Sequence, residues 1–199
     1  MTDEPPVKIN DPRALRALAH PARLAILDAL STGQTGTATQ FAQVVGLSPS
    51  ATSYHLRALA KYGLVEEAPG RGDGRERVWQ RPSRTAGVES DADRNDPPEV
   101  WEAGRMLIDA VLTRDDTLVR RWAATAQADE PEWQHATMIV KRNIVVTAKE
   151  LEKINQALED LLKQYVAARR TDPPADARPV VVNYRSFPID RLAPPDVKQ

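Results

Sequence analysis

Apolar residues recur at helical spacing through the first part of the chain and predict three short helices there. The first begins at Asp11-Pro12, the second at Pro21 and the third at Thr37 or Thr39, each at a residue suited to a helix start. The residues predicted to point inward are Leu15, Leu18, Leu24, Ile26, Leu27, Leu30, Phe41, Val44 and Val45. Together they are enough for the core of a small helical domain.

A fourth helix follows directly and has the most informative pattern of polar and apolar positions. Gly46 ends the third helix, Ser48 is a good N-cap and Pro49 suits the first helical position. The apolar stripe of this helix is Thr52, Leu56 and Leu59. Gly63 is expected to end it in a left-handed conformation. Two helices joined by so tight a glycine turn form a helix-turn-helix.

The opposite face of the fourth helix carries hydroxyl groups, an aromatic ring and two cations, on Ser50, Ser53, Tyr54, Arg57 and Lys61. A short helix with small hydrogen-bonding groups in front and an apolar stripe behind fits the major groove of DNA. We therefore predict that this face and Ser48 contact DNA. The alternative is a scaffold helix in a winged-helix module that binds other proteins.

Two short strands are predicted after Gly63, over residues 64–67 and 75–80, with a glycine-rich joining segment. Such a hairpin is a wing beside the helix-turn-helix. Arg71, Arg75 and Arg77 would bring cations from the wing to DNA phosphates.

Several motifs now stand in one order: residues 18–27 with His20-Pro21, residues 47–59 with His55-Leu56-Arg57, and Gly63-Leu64-Val65. In this order they resemble the ArsR-type winged helix-turn-helix repressors over roughly residues 11–82. The resemblance implies a homodimer on a pseudo-palindromic operator, with one helix of each copy in a major groove. The founding members sense metals through cysteines in the helix before the recognition helix, and here that helix has none.

The remaining chain is predicted to alternate helix and strand. A helix should start at Glu99, with a bend or break near 113–116 and an end near 128–131, and β-branched residues predict strands over 136–146 and 178–187. Thr147 and Glu150 form a capping box for a helix over 148–168. Its apolar stripe, predicted to support dimerisation, is Leu151, Ile154, Leu158, Leu161, Leu162 and Tyr165.

The predicted fold is therefore mainly α with β: a winged helix-turn-helix domain followed by a helical α+β dimerisation module with its own core. We divide the chain into a flexible tail (1–10), the winged domain (11–82), a linker (83–96) and the C-terminal dimerisation and effector module (97–199).

Charge and composition narrow the function classes. The net charge is −1, with +2 in residues 1–82 and −3 in the rest, so DNA binding must depend on a local basic surface. Without cysteine the chain can form neither disulfides nor thiolate metal sites. No apolar run approaches the length of a membrane span, and the N-terminus does not resemble a signal peptide, which favours the cytoplasm and no membrane partner.

Catalytic, metal and cofactor sites are not predicted. No nucleophile–base pair or phosphate-binding glycine loop is present. We interpret His20 as a hydrogen-bonding residue at a helix junction, His55 as structural or phosphate-contacting, and His135 as a surface residue. Trp101, Met106, Trp122, Trp133 and Tyr165 fit either plain core and dimer interface or a pocket for an unidentified small-molecule effector.

These observations predict a non-enzymatic, sequence-specific transcriptional regulator: a repressor that binds double-stranded DNA as a homodimer. The alternative is a winged-helix protein–protein adaptor without sequence-specific DNA binding.

Overall fold

The computed structural model of the chain describes residues 7–69, 76–82, 88–89, 96–166, 170 and 172–190. In chain order its elements are β1 (Val7–Lys8), α1 (Pro12–Leu18), α2 (Pro21–Ser31), β2 (Gly36–Thr37), α3 (Ala38–Val45), α4 (Pro49–Ala60), β3 (Glu66–Glu67), β4 (Val78–Gln80), β5 (Val88–Glu89), α5 (Pro98–Thr125), a 3-10 helix (Ala126–Ala128), α6 (Pro131–Ala136) and α7 (Ala148–Lys163). The fold is mainly helical with a small sheet, which confirms the predicted fold class.

The predicted helix boundaries follow from local hydrogen bonds. Asp11 caps α1 by accepting from the backbone N–H of Arg13 at 2.8 Å. Thr37 caps α3, and the side chain of Gln40 accepts from the Thr37 N–H at 2.8 Å, completing a capping box. Gly46 then ends α3 with a φ of 69°, a left-handed conformation that glycine adopts without strain. These starts and stops are confirmed.

Three strands form an antiparallel sheet in the order β2-β4-β3. Glu67 pairs with Trp79, which confirms the predicted hairpin, and Thr37 pairs with Val78, which adds a strand within the loop before α3. The hairpin β3–β4 with its joining loop is called the wing below. Arg71 and Arg75, predicted to contact phosphate, lie outside the described residues.

One hydrophobic core joins α1–α4, the sheet and the start of α5. Leu15, Leu18, Ile26, Leu56 and Leu59 are each at most 1% exposed. The prediction for Val44 was wrong: this side chain is 62% exposed, because the buried stripe of α3 consists of Phe41 and Ala42, with Val45 partly covered.

Helix α5 is rooted in the same core. Val100, Ala103 and Leu107 are buried in the cluster that contains the leucines of α1. Farther along, Arg114 forms an ion pair with Asp28 of α2. The N-terminal part of α5 therefore packs as an element of the winged domain, although it lies beyond the predicted linker.

Part of the predicted tail and linker is ordered as well. Val7–Lys8 pairs in parallel with Val88–Glu89, and Ile9 is buried at 6% exposure. The chain therefore already contributes to the core before Asp11.

The C-terminal part differs most from the sequence prediction. Helix α5 runs unbroken from Pro98 to Thr125, so the break predicted at 113–116 is wrong: Asp115 and Asp116 are held by ion pairs to Arg185 and Arg120. The strands predicted over 136–146 and 178–187 are also wrong, because residues 137–147 and 177–187 are extended without a sheet partner. The capping box of α7 at Thr147 and Glu150 is confirmed.

No residue of α7 is buried, and none of residues 108–166 falls in the buried class. The prediction that the C-terminal module has its own core is therefore wrong for the described residues of a single chain. Among the described helices, none is both long and apolar enough to cross a membrane.

Candidate nucleic-acid interface

The apolar stripe of α4 fixes the orientation of the helix. Thr52, Leu56 and Leu59 are completely buried, as predicted. The Thr52 hydroxyl donates to the carbonyl of Ser48 at 3.0 Å, which satisfies the one polar atom of this stripe inside the helix. Since α4 is held along its whole inner side, the opposite side is presented in a defined position.

The polar face of α4, defined as Ser50, Ser53, Tyr54, Arg57 and Lys61, points away from the core. Ser53 is half-buried and the other four are exposed, with Tyr54 at 59%. The Arg57 Nε donates to the Ser53 carbonyl at 3.3 Å, which leaves the terminal guanidinium nitrogens directed outward for other partners.

Ser48 has a different position from the rest of the predicted DNA contacts. Its hydroxyl accepts from the Ala51 N–H at 3.2 Å as the N-cap of α4 and lies 3.1 Å from the Ser50 hydroxyl. Ser48 is exposed, so a DNA contact stays compatible with its capping role.

An open cleft of about 350 Å³ separates the end of α4 from the wing. Its lining residues are Arg57, Ala60, Gly63, Val65, Glu66, Glu67, Arg77, Trp79 and Pro82. The cleft thus brings one predicted cation from the helix and one from the wing to the same surface. Lys61 lies one turn beyond Arg57 on the polar face.

Carboxylates on the wing compete for these cations, and the sequence analysis missed this. The Arg77 guanidinium lies 2.9 Å from the Glu67 carboxylate, and both side chains are exposed. Glu66 accepts from the side chain of Gln80 at 2.9 Å, and Glu76 accepts from the Thr39 hydroxyl at 3.2 Å. Because the pairing depends on neighbouring antiparallel strands, no local pattern in the sequence reveals it.

Replacing Glu67 with glutamine should strengthen binding to random duplex DNA and steepen its salt dependence by about one unit of slope. The substitution removes a charge that repels phosphate and frees Arg77 from its ion pair. Titrations of a labelled duplex at several salt concentrations measure both effects. Glu152→Gln, on the exposed surface of α7, is the matched control and should change neither. An unchanged slope for Glu67→Gln would mean that Arg77 does not contact DNA.

His55 is buried between the polar face and the core. It is 9% exposed, its ring lies 4.6 Å from the ring of His20, and its Nδ1 has no hydrogen-bond partner. The His20 Nδ1 accepts from the Ala22 N–H at 3.2 Å, which confirms His20 as a helix-junction residue. Burial lowers the pKa of His55, and the neighbouring His20 and Arg23 lower it further. His55 is therefore a neutral structural residue at the α2–α4 contact.

The free energy of unfolding should fall as the pH drops below the ordinary histidine pKa of about 6.5, because the unfolded chain binds a proton at His55 more readily than the folded chain. His55→Gln should reduce this pH dependence between pH 8 and 5, as measured by denaturant unfolding. His135 is exposed, so His135→Gln is the control and should leave the dependence unchanged. Equal pH dependence in the parent and His55→Gln would contradict the role of His55.

The residues predicted to support dimerisation lie on one side of α7 and are partly exposed. Ile154, Leu161 and Tyr165 are 39%, 59% and 55% exposed. Leu151, Leu158 and Leu162 are half-buried. Within the described chain this stripe is only partly covered, and its role in dimerisation stays a prediction.

Metal and effector sites gain no residues from the structure. Within the described ranges, no three histidine, aspartate or glutamate side chains are close enough together to hold a metal ion. Of the aromatic residues considered for an effector pocket, Trp101 and Trp122 are exposed, and the Trp133 ring is covered by the Arg178 guanidinium at 4.7 Å.

Comparison with known proteins agrees with this geometry over the winged domain. Residues 18–68 match the family model described as a helix-turn-helix domain. The chain is 42% identical over 52 residues to the HTH-type transcriptional regulator YgaV of Escherichia coli (strain K12), a match that covers 26% of this chain and 52% of that protein. The chain thus spans about half the length of this curated relative.

Solved structures of ZitR from Lactococcus lactis are more distant. The apo form of a double mutant matches with 17% identity and a TM-score of 0.32, over 74% of this chain and 83% of that one. A single mutant of the same protein gives 16% identity and a TM-score of 0.31, over 83% and 79%. The conclusion from the comparisons is that residues 18–68, which include α2, α3 and α4, are a helix-turn-helix domain.

Proposed function

We propose that the chain is a sequence-specific, DNA-binding transcriptional regulator of the ArsR type that acts as a repressor. The observation that carries the proposal is the polar face of α4, which is exposed while the other side of the same helix is completely buried. A helix held in this way presents Ser50, Tyr54 and Arg57 to a major groove without any loss of core packing.

The proposed mechanism is occlusion of an operator by a homodimer. Each copy places one α4 in a major groove, and a pseudo-palindromic site offers two half-sites related by the same two-fold axis. Ser48, Ser53, Lys61 and the arginines of the wing, Arg71, Arg75 and Arg77, then position the protein on the backbone. Residues 97–199, with the apolar stripe of α7, hold the copies together, and an effector acting there would change the spacing of the two α4 helices.

Selection from a random duplex pool tests this function. The full chain is expected to enrich inverted half-sites whose centres are about one helical turn apart, roughly 34–36 Å. Failure to enrich any sequence, together with the expected salt-dependent binding to random duplex, would contradict sequence recognition.

A protein–protein adaptor is the second candidate, and the three carboxylates of the wing favour it because they repel phosphate. A salt titration separates the two functions: phosphate contacts give a steep fall of affinity with salt, whereas an adaptor shows no duplex binding to titrate.

A further inference from the structure

Two extended segments in the C-terminal part expose apolar side chains. The first extended segment is Met138–Val146, in which Met138, Ile139 and Val145 are 75%, 70% and 104% exposed. The second is Val180–Ile189, whose exposed residues are Val180, Val181, Val182, Phe187 and Ile189 at 56–67%. So many large apolar side chains on one surface are typical of a site that another protein surface covers.

The backbones of these segments are unpaired too. In the described part of the chain, no backbone N–H or C=O of residues 138–146 or 180–183 is hydrogen-bonded to another backbone group. Both segments are rich in β-branched residues, which favour sheets. An extended, apolar, unpaired backbone is a template for pairing with another strand.

The second extended segment is nevertheless held in place by its own chain. Ser186 donates to Asn155 of α7 at 2.8 Å, the Tyr184 hydroxyl donates to Glu159 of α7, and Arg185 pairs with Asp115 of α5. Just before the segment, Arg178 lies 2.8 Å from Asp129. The polar side chains thus anchor the segment beside α7 while its apolar side chains face outward.

We propose that the first extended segment of one copy pairs with the second extended segment of a second copy, and that a symmetric dimer forms this intersubunit β-sheet twice. The inference rests on the homodimer of the proposed function and names the surface that holds it together. Both strands are present in every chain and do not pair with each other there, so a second copy supplies what each lacks. Two equivalent contacts about a two-fold axis close the assembly at a dimer.

Charge favours this pairing over self-pairing of the first segment. Lys141 and Arg142 lie near its centre and form no ion pair within the described residues. Antiparallel self-pairing would bring these cations of the two copies together, which is unfavourable. The second segment follows Asp172 and Asp176, also without ion pairs there, and its own arginine, Arg185, is neutralised by Asp115.

Disulfide cross-linking tests the pairing directly, because the chain contains no cysteine. Full-length chains with I144C or V145C are mixed with differently tagged chains with V181C or V182C and oxidised without DNA. Adjacent positions place one side chain on each side of a strand, and a disulfide forms only where Cβ atoms approach to about 3.5–4.5 Å. We expect dimers that carry both tags; E132C, on the exposed surface of α6, should form none.

Three results would overturn the proposal. One is cross-linking only between identical segments, and another is an intrachain disulfide in V145C/V181C at monomer mass. The third is the absence of any cross-linked pair together with a V145D chain that still sediments as the parent does.

Sedimentation of V145D provides an independent measurement. Val145 is fully exposed in the single chain, so V145D should leave the unfolding of the monomer unchanged and raise the dimer dissociation constant at least about tenfold. N143D adds the same charge at an exposed polar position of the same segment and should have the smaller effect.

The outcomes separate this inference from the proposed function. A cross-linked dimer that enriches no DNA sequence would leave the sheet in place and contradict the function. A V145D monomer that selects the same DNA half-sites with undiminished affinity would do the opposite.

Discussion

Replacing Leu107 with alanine should lower the free energy of unfolding by about 2–5 kcal/mol. Leu107 is 5% exposed and belongs to the same hydrophobic cluster as Leu15 and Leu18 of α1. Removing its isobutyl group leaves a cavity between α1 and α5 that the packed helices can fill only in part. Urea denaturation, followed by circular dichroism, measures the loss.

The adjacent residue provides a matched control. Ile108 is 51% exposed on the same helix, so Ile108→Ala should change the free energy of unfolding by less than about 1 kcal/mol. Equal losses from the two substitutions would show that α5 is not rooted in the core of the winged domain. A chain cut after Pro82 would remove Leu107 with the whole of α5 and expose the leucines of α1, so shortened chains should retain this helix.

Replacing Arg57 with alanine should weaken binding to the selected DNA site by about 1–3 kcal/mol, or roughly 5- to 150-fold, and leave the fold unchanged. Arg57 is exposed at the centre of the polar face and lines the cleft beside the wing. A guanidinium there can donate two parallel hydrogen bonds to a guanine edge, which a shorter side chain cannot replace. Titrations of the selected duplex and of a scrambled duplex give the two affinities.

Two further substitutions assign the role of Arg57. Arg57→Lys retains the charge without the planar pair of donors, so it should lose discrimination between the two duplexes almost as Arg57→Ala does. Lys61→Ala, one turn away, should weaken both duplexes about equally, as the loss of a phosphate contact does. If Arg57→Ala also weakens both duplexes equally, Arg57 contacts the backbone and does not recognise a base.

The winged domain could be predicted in detail because its boundaries depend on neighbouring residues. Ser48 caps the helix that Pro49 begins, and Thr37 forms its capping box with Gln40, only three positions away. Gly63 adopts a φ of 67° just after α4, as predicted, although the helix itself ends at Ala60. Each of these features depends on contacts within a few residues of the chain.

The misinterpreted parts depend on partners distant in sequence. The β-branched run around Ile144 predicts a strand, but a strand exists only where a second strand accepts its hydrogen bonds, and no described residue of the same chain does so. Likewise Asp115 looks like a helix breaker until Arg185, 70 residues later, neutralises it.

His55 shows the same limit at the candidate interface. Its place between the stripe and the polar face of α4 leaves two orientations open in the sequence. Its burial follows from contact with His20, on another helix, and periodicity within α4 alone cannot report that contact.

Helix α5 also works as a lever. Its 28 residues make a rod roughly 42 Å long, with one end fixed against α1 and the other far outside the winged domain. Over that length, a rotation of about 5° at the rooted end displaces the free end by about 4 Å, close to one base-pair step along DNA. In a dimer joined at the far ends of two such rods, small tilts would thus translate into different distances between the two α4 helices. The stiffness of that distal junction would then set how much variation in half-site separation the protein tolerates.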